Sequence, residues 1–259
     1  MSARDLHQSV RPSPIFWAIV GLTALGGALA YWDGAAVGSM AYLSVFVFAI
    51  AGWVVSLCLH EFGHAFTAWK FGDRDVAMRG YLDLDPRRYS HPVLSIVLPI
   101  AITAIGGIGL PGAAVYVRTS FMTAKQRTLV SLAGPTANLL LAVLLLGLTN
   151  AFFDLMHPVL WAGVAFLGFL QITALLLNLL PIPGLDGYSA LEPHLSPETQ
   201  RALEQFKPYG FLLLFVLLLA PPLNQWFFGM VFWFYELSGV PSNWALAGME
   251  LTRFWHAWF

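Results

Sequence analysis

The sequence predicts an all-α polytopic membrane protein with about five to six transmembrane helices, and three observations carry that prediction. Hydrophobic residues make up 58% of the chain and charged residues 10%, against about 25% charged in soluble domains. Apolar runs fall at about 14–32, 40–71, 92–110, 128–150, 158–181 and 208–238, most of them near or above the roughly 20 residues that a bilayer-crossing helix needs. Lys and Arg are absent from 33–39 and 151–157 but gathered in 72–91 and 111–127, the asymmetry that orients membrane chains. The net charge of −1 and the absence of a basic block give no footing for nucleic acid.

The elements follow in order. Arg4 and Arg11 precede the first run, which is long enough to span and lacks a small-x-small cleavage site, so it reads as a transmembrane helix rather than a signal peptide. Segment 72–91 carries Arg74, Arg79, Arg87 and Arg88, and segment 111–127 carries Arg118, Lys125 and Arg127. The positive-inside rule puts both in the cytoplasm. The run between them, 92–110, is then a re-entrant or surface-lying segment, in keeping with Pro99 and with Gly106, Gly107, Gly109 and Gly112 at its end. Val115, Tyr116 and Val117 follow that glycine-rich turn and predict a small membrane-associated β element, with 75–84 as its pairing partner. Runs 128–150 and 158–181 are full spans. Pro221 and Pro222 interrupt 208–238, which is one kinked span or two short segments. Trp244, Leu251, Trp255 and Trp258 fall roughly on one side of 243–259 and predict an amphipathic interfacial segment.

Inside the second run stands His60-Glu61-Phe62-Gly63-His64, an HExxH motif. Residues four apart share a helix face, so His60 and His64 can offer two imidazoles to one metal ion, and Glu61 is placed to take a proton from water. Three ionisable side chains in five residues of a span are expensive unless a metal compensates them. The chemistry implied is metal-assisted hydrolysis within a bilayer. Cys58, the one cysteine, lies two residues before His60, off the metal face, and reads as packing.

Catalytic zinc usually takes three protein ligands. Candidates for the third are Asp83, Asp85, His91, Asp186, Glu192 and His194. Asp186 is favoured because Pro181, Pro183, Gly184 and Gly187 break the helix around it, and broken backbone at membrane depth builds ion sites. The plainer role is an Asp capping the next helix. His91 and His194 read as interfacial. The second and fifth runs must be parallel for Asp186 to meet the motif, which again denies 92–110 a full crossing.

With these residues in view, the chain resembles the site-2 protease family of intramembrane zinc metalloproteases. HExxH stands at His60 to His64, GPxxN at Gly134, Pro135 and Asn138, and an NxxPxPxLDG-type motif runs from Asn178 through Pro181, Pro183, Leu185 and Asp186 to Gly187. The resemblance covers a catalytic core of about 40–195 within a single membrane-embedded domain, 1–259, flanked by spans at about 14–32 and 208–238, with no PDZ or CBS domain. It implies a three-helix catalytic core and one Zn2+ per chain, held by His60, His64 and Asp186, with Glu61 as general base. It also implies that Asn138 positions the substrate or polarises its carbonyl; the plainer role is an interhelical hydrogen bond. Asn178 is a substrate contact or a brace for the proline-rich break.

Val115, Tyr116 and Val117 would align an extended substrate by strand addition. The expected partners are single-span membrane proteins and the lipid bilayer. The expected location is the cell membrane, multi-pass, with the site opening to the cytoplasm. A catalytically silent membrane-protein-binding scaffold would be expected to lack Glu61 or a ligand, and a metal transporter would need a second ligand layer, which the chain does not show.

Overall fold

The computed structural model describes residues 10–35, 37–89 and 115–257. The expected re-entrant segment, 92–110, lies outside them. Helix α1, Pro14–Asp33, opens on Ser13, whose Oγ accepts the Phe16 N–H. It runs along α2, Ser39–Lys70, and at Gly26 the two backbones come so close that an added Cβ would lie 2.6 Å from the Phe48 nitrogen. Helix α2 has 32 residues, about 48 Å at 1.5 Å per residue, well beyond a hydrocarbon core of about 30 Å. A four-residue helix, α3 (Asp75–Met78), follows α2.

Helix α4, Ala124–Phe152, starts from a Thr123/Gln126 capping box and continues through Pro135. Helix α5, Pro158–Asn178, is the central element: 83% of its most apolar window is buried, against 17% for α1. It touches α1, α2 and α4. Beyond its broken end come α6, Asp186–Leu191, and α7, Pro197–Glu204. Glu192 pairs with Arg127 and Lys207, tying this region to the start of α4.

Segment 208–238 is two helices, α8 (Gly210–Leu219) and α9 (Pro221–Glu236). The break falls at Ala220 because Pro221 has no N–H to continue the ladder. At about 15 and 24 Å, neither helix alone matches a bilayer. Among the described residues, four helices are long and apolar enough to cross, α1, α2, α4 and α5, and a fifth exists if α7 and the helical stretch Lys207–Leu219, bent by 50°, form one broken span. The chain is an all-α, multi-pass membrane protein.

One expectation needs correction. No strand forms among the described residues: 75–78 is the helix α3 and 81–83 a 3-10 turn. Asp73 explains both. Its Oδ1 accepts the Asp75 N–H and starts α3, while its Oδ2 accepts the Arg118 N–H at 2.7 Å, so side chains take the bonds that a β ladder would have made. Arg118 also pairs with Asp75 at 2.9 Å, which brings the two basic segments to the same end of the bundle. The C-terminal segment is the one expected to lie at the membrane interface. Its helix, α10 (Ser242–Leu251), docks on α5 through buried Ala245, Gly248 and Leu251. Gly248 sits so near the Ala162 carbonyl and the Phe166 Cβ that no side chain fits. Small residues set how closely this helix approaches α5, and Trp244 packs beside Phe153 at its start.

Candidate metal centre

His60 and His64 lie one turn apart on the buried face of α2. Asp186 reaches them from the first turn of α6. The chain turns there because Pro181 and Pro183 cannot extend α5 and Gly184 adopts φ +96°, which glycine tolerates. Leu185, not Asp186, holds the N-cap position, so the carboxylate is free to face the histidines. Its Oδ2 lies 3.2 Å from His60 Nε2 and its Oδ1 3.3 Å from His64 Nε2, and the two Nε2 atoms are 3.1 Å apart. Ligand atoms from the three residues all fall within 4.8 Å of one another.

These residues fit a metal ion. His64 Nδ1 lies 2.8 Å from the Val130 carbonyl oxygen, which can only accept. The proton of the neutral ring is therefore on Nδ1, and Nε2 presents a lone pair. His60 Nδ1 lies 2.6 Å from Asn138 Oδ1 and leaves its own Nε2 in the same state. Two lone pairs and a carboxylate converge, and the buried Asp186 Oδ2 has no hydrogen-bond partner. Such a donor set repels itself and is what a divalent cation draws together. Gly134 leaves the room: a Cβ there would lie 2.6 Å from His60 Nε2 and nearer still to His64 Nε2. Gly63 lets α4 come in, since a Cβ on it would lie 2.7 Å from the Ala133 oxygen.

Glu61 is buried beside the ligands and is not one of the converging three. Its Oε2 accepts the Val115 N–H at 3.0 Å. Val115, Tyr116 and Val117 line one wall of a cavity of about 350 Å³ whose floor is the His–His–Asp cluster, and Asn138 and Asn178 line it too. Asn138 Oδ1 faces His60 and its Nδ2 donates to Gln171, so both its heteroatoms are engaged within the protein and it makes the interhelical bond open to a polar residue in a span.

The other candidate ligands are elsewhere. Asp85 is bound by Arg87, whose guanidinium holds its carboxyl below the usual carboxylate range. Asp83 faces Arg88, and His194 meets Thr128. His91 lies outside the described residues. Cys58 is buried in an apolar cluster with Val54, Ala65 and Trp69. Sequence reasoning missed Gln171 and Ser56, though polar residues inside apolar runs are themselves a signal. It could not have found the Val130 carbonyl, which no side chain announces.

Fold and site define a multi-pass membrane protein with an HExxH metal centre completed by a distant aspartate. The chain is 67% identical over 259 residues, the whole of both chains, to the "Putative zinc metalloprotease Rip2" of Mycobacterium tuberculosis (strain ATCC 25618 / H37Rv). It is 63% identical, again over the whole of both, to the protein of that name from Mycolicibacterium smegmatis. The "Putative zinc metalloprotease YwhC" of Bacillus subtilis (strain 168) is 33% identical over 187 residues, 69% of this chain and 83% of that protein. No protein-family model matches, and no solved structure matches. The chain belongs to the family of these zinc metalloproteases, consistent with a short site-2-protease-like family.

Proposed function

We propose that this chain is an intramembrane zinc metalloprotease of the site-2 type, which hydrolyses peptide bonds in or near the membrane-spanning segments of single-span proteins. One observation carries the reading: His60, His64 and Asp186 bring ligand atoms to one point beside Glu61, on a cavity inside a bundle of apolar helices. His60 lies ten residues from the end of α2 at Lys70, about 15 Å along the helix. That depth suits a bond near the membrane surface. With Arg74, Arg79, Arg118, Lys125 and Arg127 near the same end, the positive-inside rule turns the site toward the cytoplasm of the cell membrane.

Zinc, when bound, supplies Lewis acidity for polarising a peptide carbonyl and acidifying water. The rest is the chain's own. His60, His64 and Asp186 hold the ion. Glu61 takes the proton of the attacking water and returns it to the leaving amine; the Val115 N–H engages only its Oε2, which leaves Oε1 for the transfer. The apolar walls exclude bulk water from all but the open side of the cavity.

A substrate helix must unwind to expose a carbonyl. Among the described residues, the backbone groups of Tyr116 and Val117 make no hydrogen bond, and the two residues line the cavity. They are placed to pair with an extended substrate. Val117→Pro removes one such N–H without touching the Val115 bond to Glu61. Cleavage of a membrane-embedded substrate is expected to fall at least tenfold with zinc content unchanged. Wild-type cleavage by the folded variant would remove the pairing idea.

The function itself is tested with purified protein in detergent and a model single-span substrate. Cleavage should vanish on chelation and return with one equivalent of zinc. Zinc binding with no cleavage of any single-span substrate would leave a metal-binding scaffold in place of a protease.

A further inference from the structure

We propose that Gln171 is a positioning residue for the metal centre, acting through Asn138 to hold the His60 ring in the tautomer that presents Nε2 to a metal ion. The inference rests on the zinc reading above. Gln171 lies on α5, a helix that is otherwise almost wholly apolar, and is 0% exposed. A buried carboxamide is costly unless both its ends are bonded. Both are. Gln171 Nε2 donates to Ser56 Oγ at 2.9 Å, and its Oε1 accepts from Asn138 Nδ2 at 2.9 Å. At one end of this relay the Ser56 hydroxyl donates to the Gly52 carbonyl at 2.8 Å. At the other, Asn138 Oδ1 faces His60 Nδ1 at 2.6 Å.

The direction of the relay matters because each member could in principle turn over. A carboxamide exchanges oxygen for nitrogen by rotating, and a neutral imidazole carries its proton on either ring nitrogen. The Gly52 carbonyl has no hydrogen to give. Ser56 donates to it and so offers a lone pair to Gln171. Gln171 meets that lone pair with its NH2 and turns its oxygen to Asn138. Asn138 donates its own NH2 there and leaves Oδ1 for His60, whose Nδ1 must then be the donor.

Reversing the order would forfeit the Ser56–Gly52 bond and place an N–H on His60 Nε2, where a metal needs a lone pair. His64 is set by the Val130 carbonyl in direct contact. His60 is set by a backbone carbonyl three side chains away. Asn138 alone would not suffice, since an amide with no partner behind it can present either end to the ring.

The test reads the tautomer and the affinity separately. Nitrogen NMR of the metal-free protein with labelled histidine, at a pH where both rings are neutral, reports which ring nitrogen carries the proton, and competition with a chromophoric chelator gives the zinc Kd. In Gln171→Leu, His60 is expected to leave the single Nδ1–H state while His64 keeps it, and zinc affinity to fall about 10- to 100-fold. Gln171→Glu, as a neutral acid, places an O–H and a carbonyl where the amide stood, and is expected to restore both readings. A purely structural role would instead lower the melting temperature of the metal-free protein and leave the His60 tautomer alone.

Should Gln171→Leu fail to fold, Ser56→Ala carries the test, with a smaller loss in the same two readings. Wild-type tautomer and wild-type Kd in a folded Gln171→Leu or Ser56→Ala protein would overturn the proposal. Absence of zinc binding by the unmutated chain would overturn the zinc reading, with the tautomer comparison still deciding the relay.

Discussion

Gly134→Ala is expected to abolish zinc binding without altering a ligand. The new methyl group would stand 2.6 Å from His60 Nε2 and closer to His64 Nε2, in the space the two lone pairs point into. Alanine is a better helix former than glycine by about 1 kcal/mol, so α4 itself loses nothing. The expected outcome is metal content falling from about one equivalent to background, with cleavage lost in parallel and the helical circular dichroism of the metal-free protein unchanged. Elemental analysis of the purified variant checks it. Full zinc occupancy with wild-type affinity would mean that the ion sits elsewhere than above Gly134.

Glu61→Gln should separate binding from chemistry. Glutamine matches glutamate in shape, and its Oε1 can still accept the Val115 N–H, so the wall of the cavity stays where it is. It cannot take a proton from water. Loss of a general base lowers turnover by about 10²- to 10⁴-fold, and zinc stoichiometry is expected to stay at the wild-type value because Glu61 is outside the converging ligand set. Turnover within tenfold of wild type in the mutant would assign the base to another residue. Loss of zinc would instead make Glu61 part of the binding site.

Much of this was legible in the chain. A spacing of four residues on an apolar helix announces two imidazoles on one face, and the prolines and glycines around Asp186 announce a break that can carry a third ligand. What stayed hidden has physical reasons. Val115, Tyr116 and Val117 have strand-forming side chains, but the neighbouring N–H groups of Val115 and Arg118 go to the carboxylates of Glu61 and Asp73. Propensity says nothing of partners so distant in sequence.

In 243–259 the tryptophans announce an amphipathic helix, but Ala245 and Gly248, inconspicuous by size, give no sign in the sequence of the close contact with α5. Asn138 was visible as a polar residue in a span. Its Nδ2 donates to Gln171, 33 positions away, and no pattern within α4 could have named that partner.

The two glycines between α2 and α4 bear on each other. Gly63 and the Ala133–Gly134 backbone touch at the level of main-chain atoms: a Cβ on Gly63 would meet the Ala133 oxygen at 2.7 Å and the Gly134 nitrogen at 3.4 Å. No neighbouring side chain can be trimmed to admit a larger residue, because the obstacle is common to every amino acid. The HExxH and GPxxN motifs are thus two halves of one contact, and a side chain at Gly63 could enter only if the α4 backbone moved away from α2. Such a shift would carry Gly134 away from His60 and His64, so the fit of the metal site is set by a residue that touches no ligand atom.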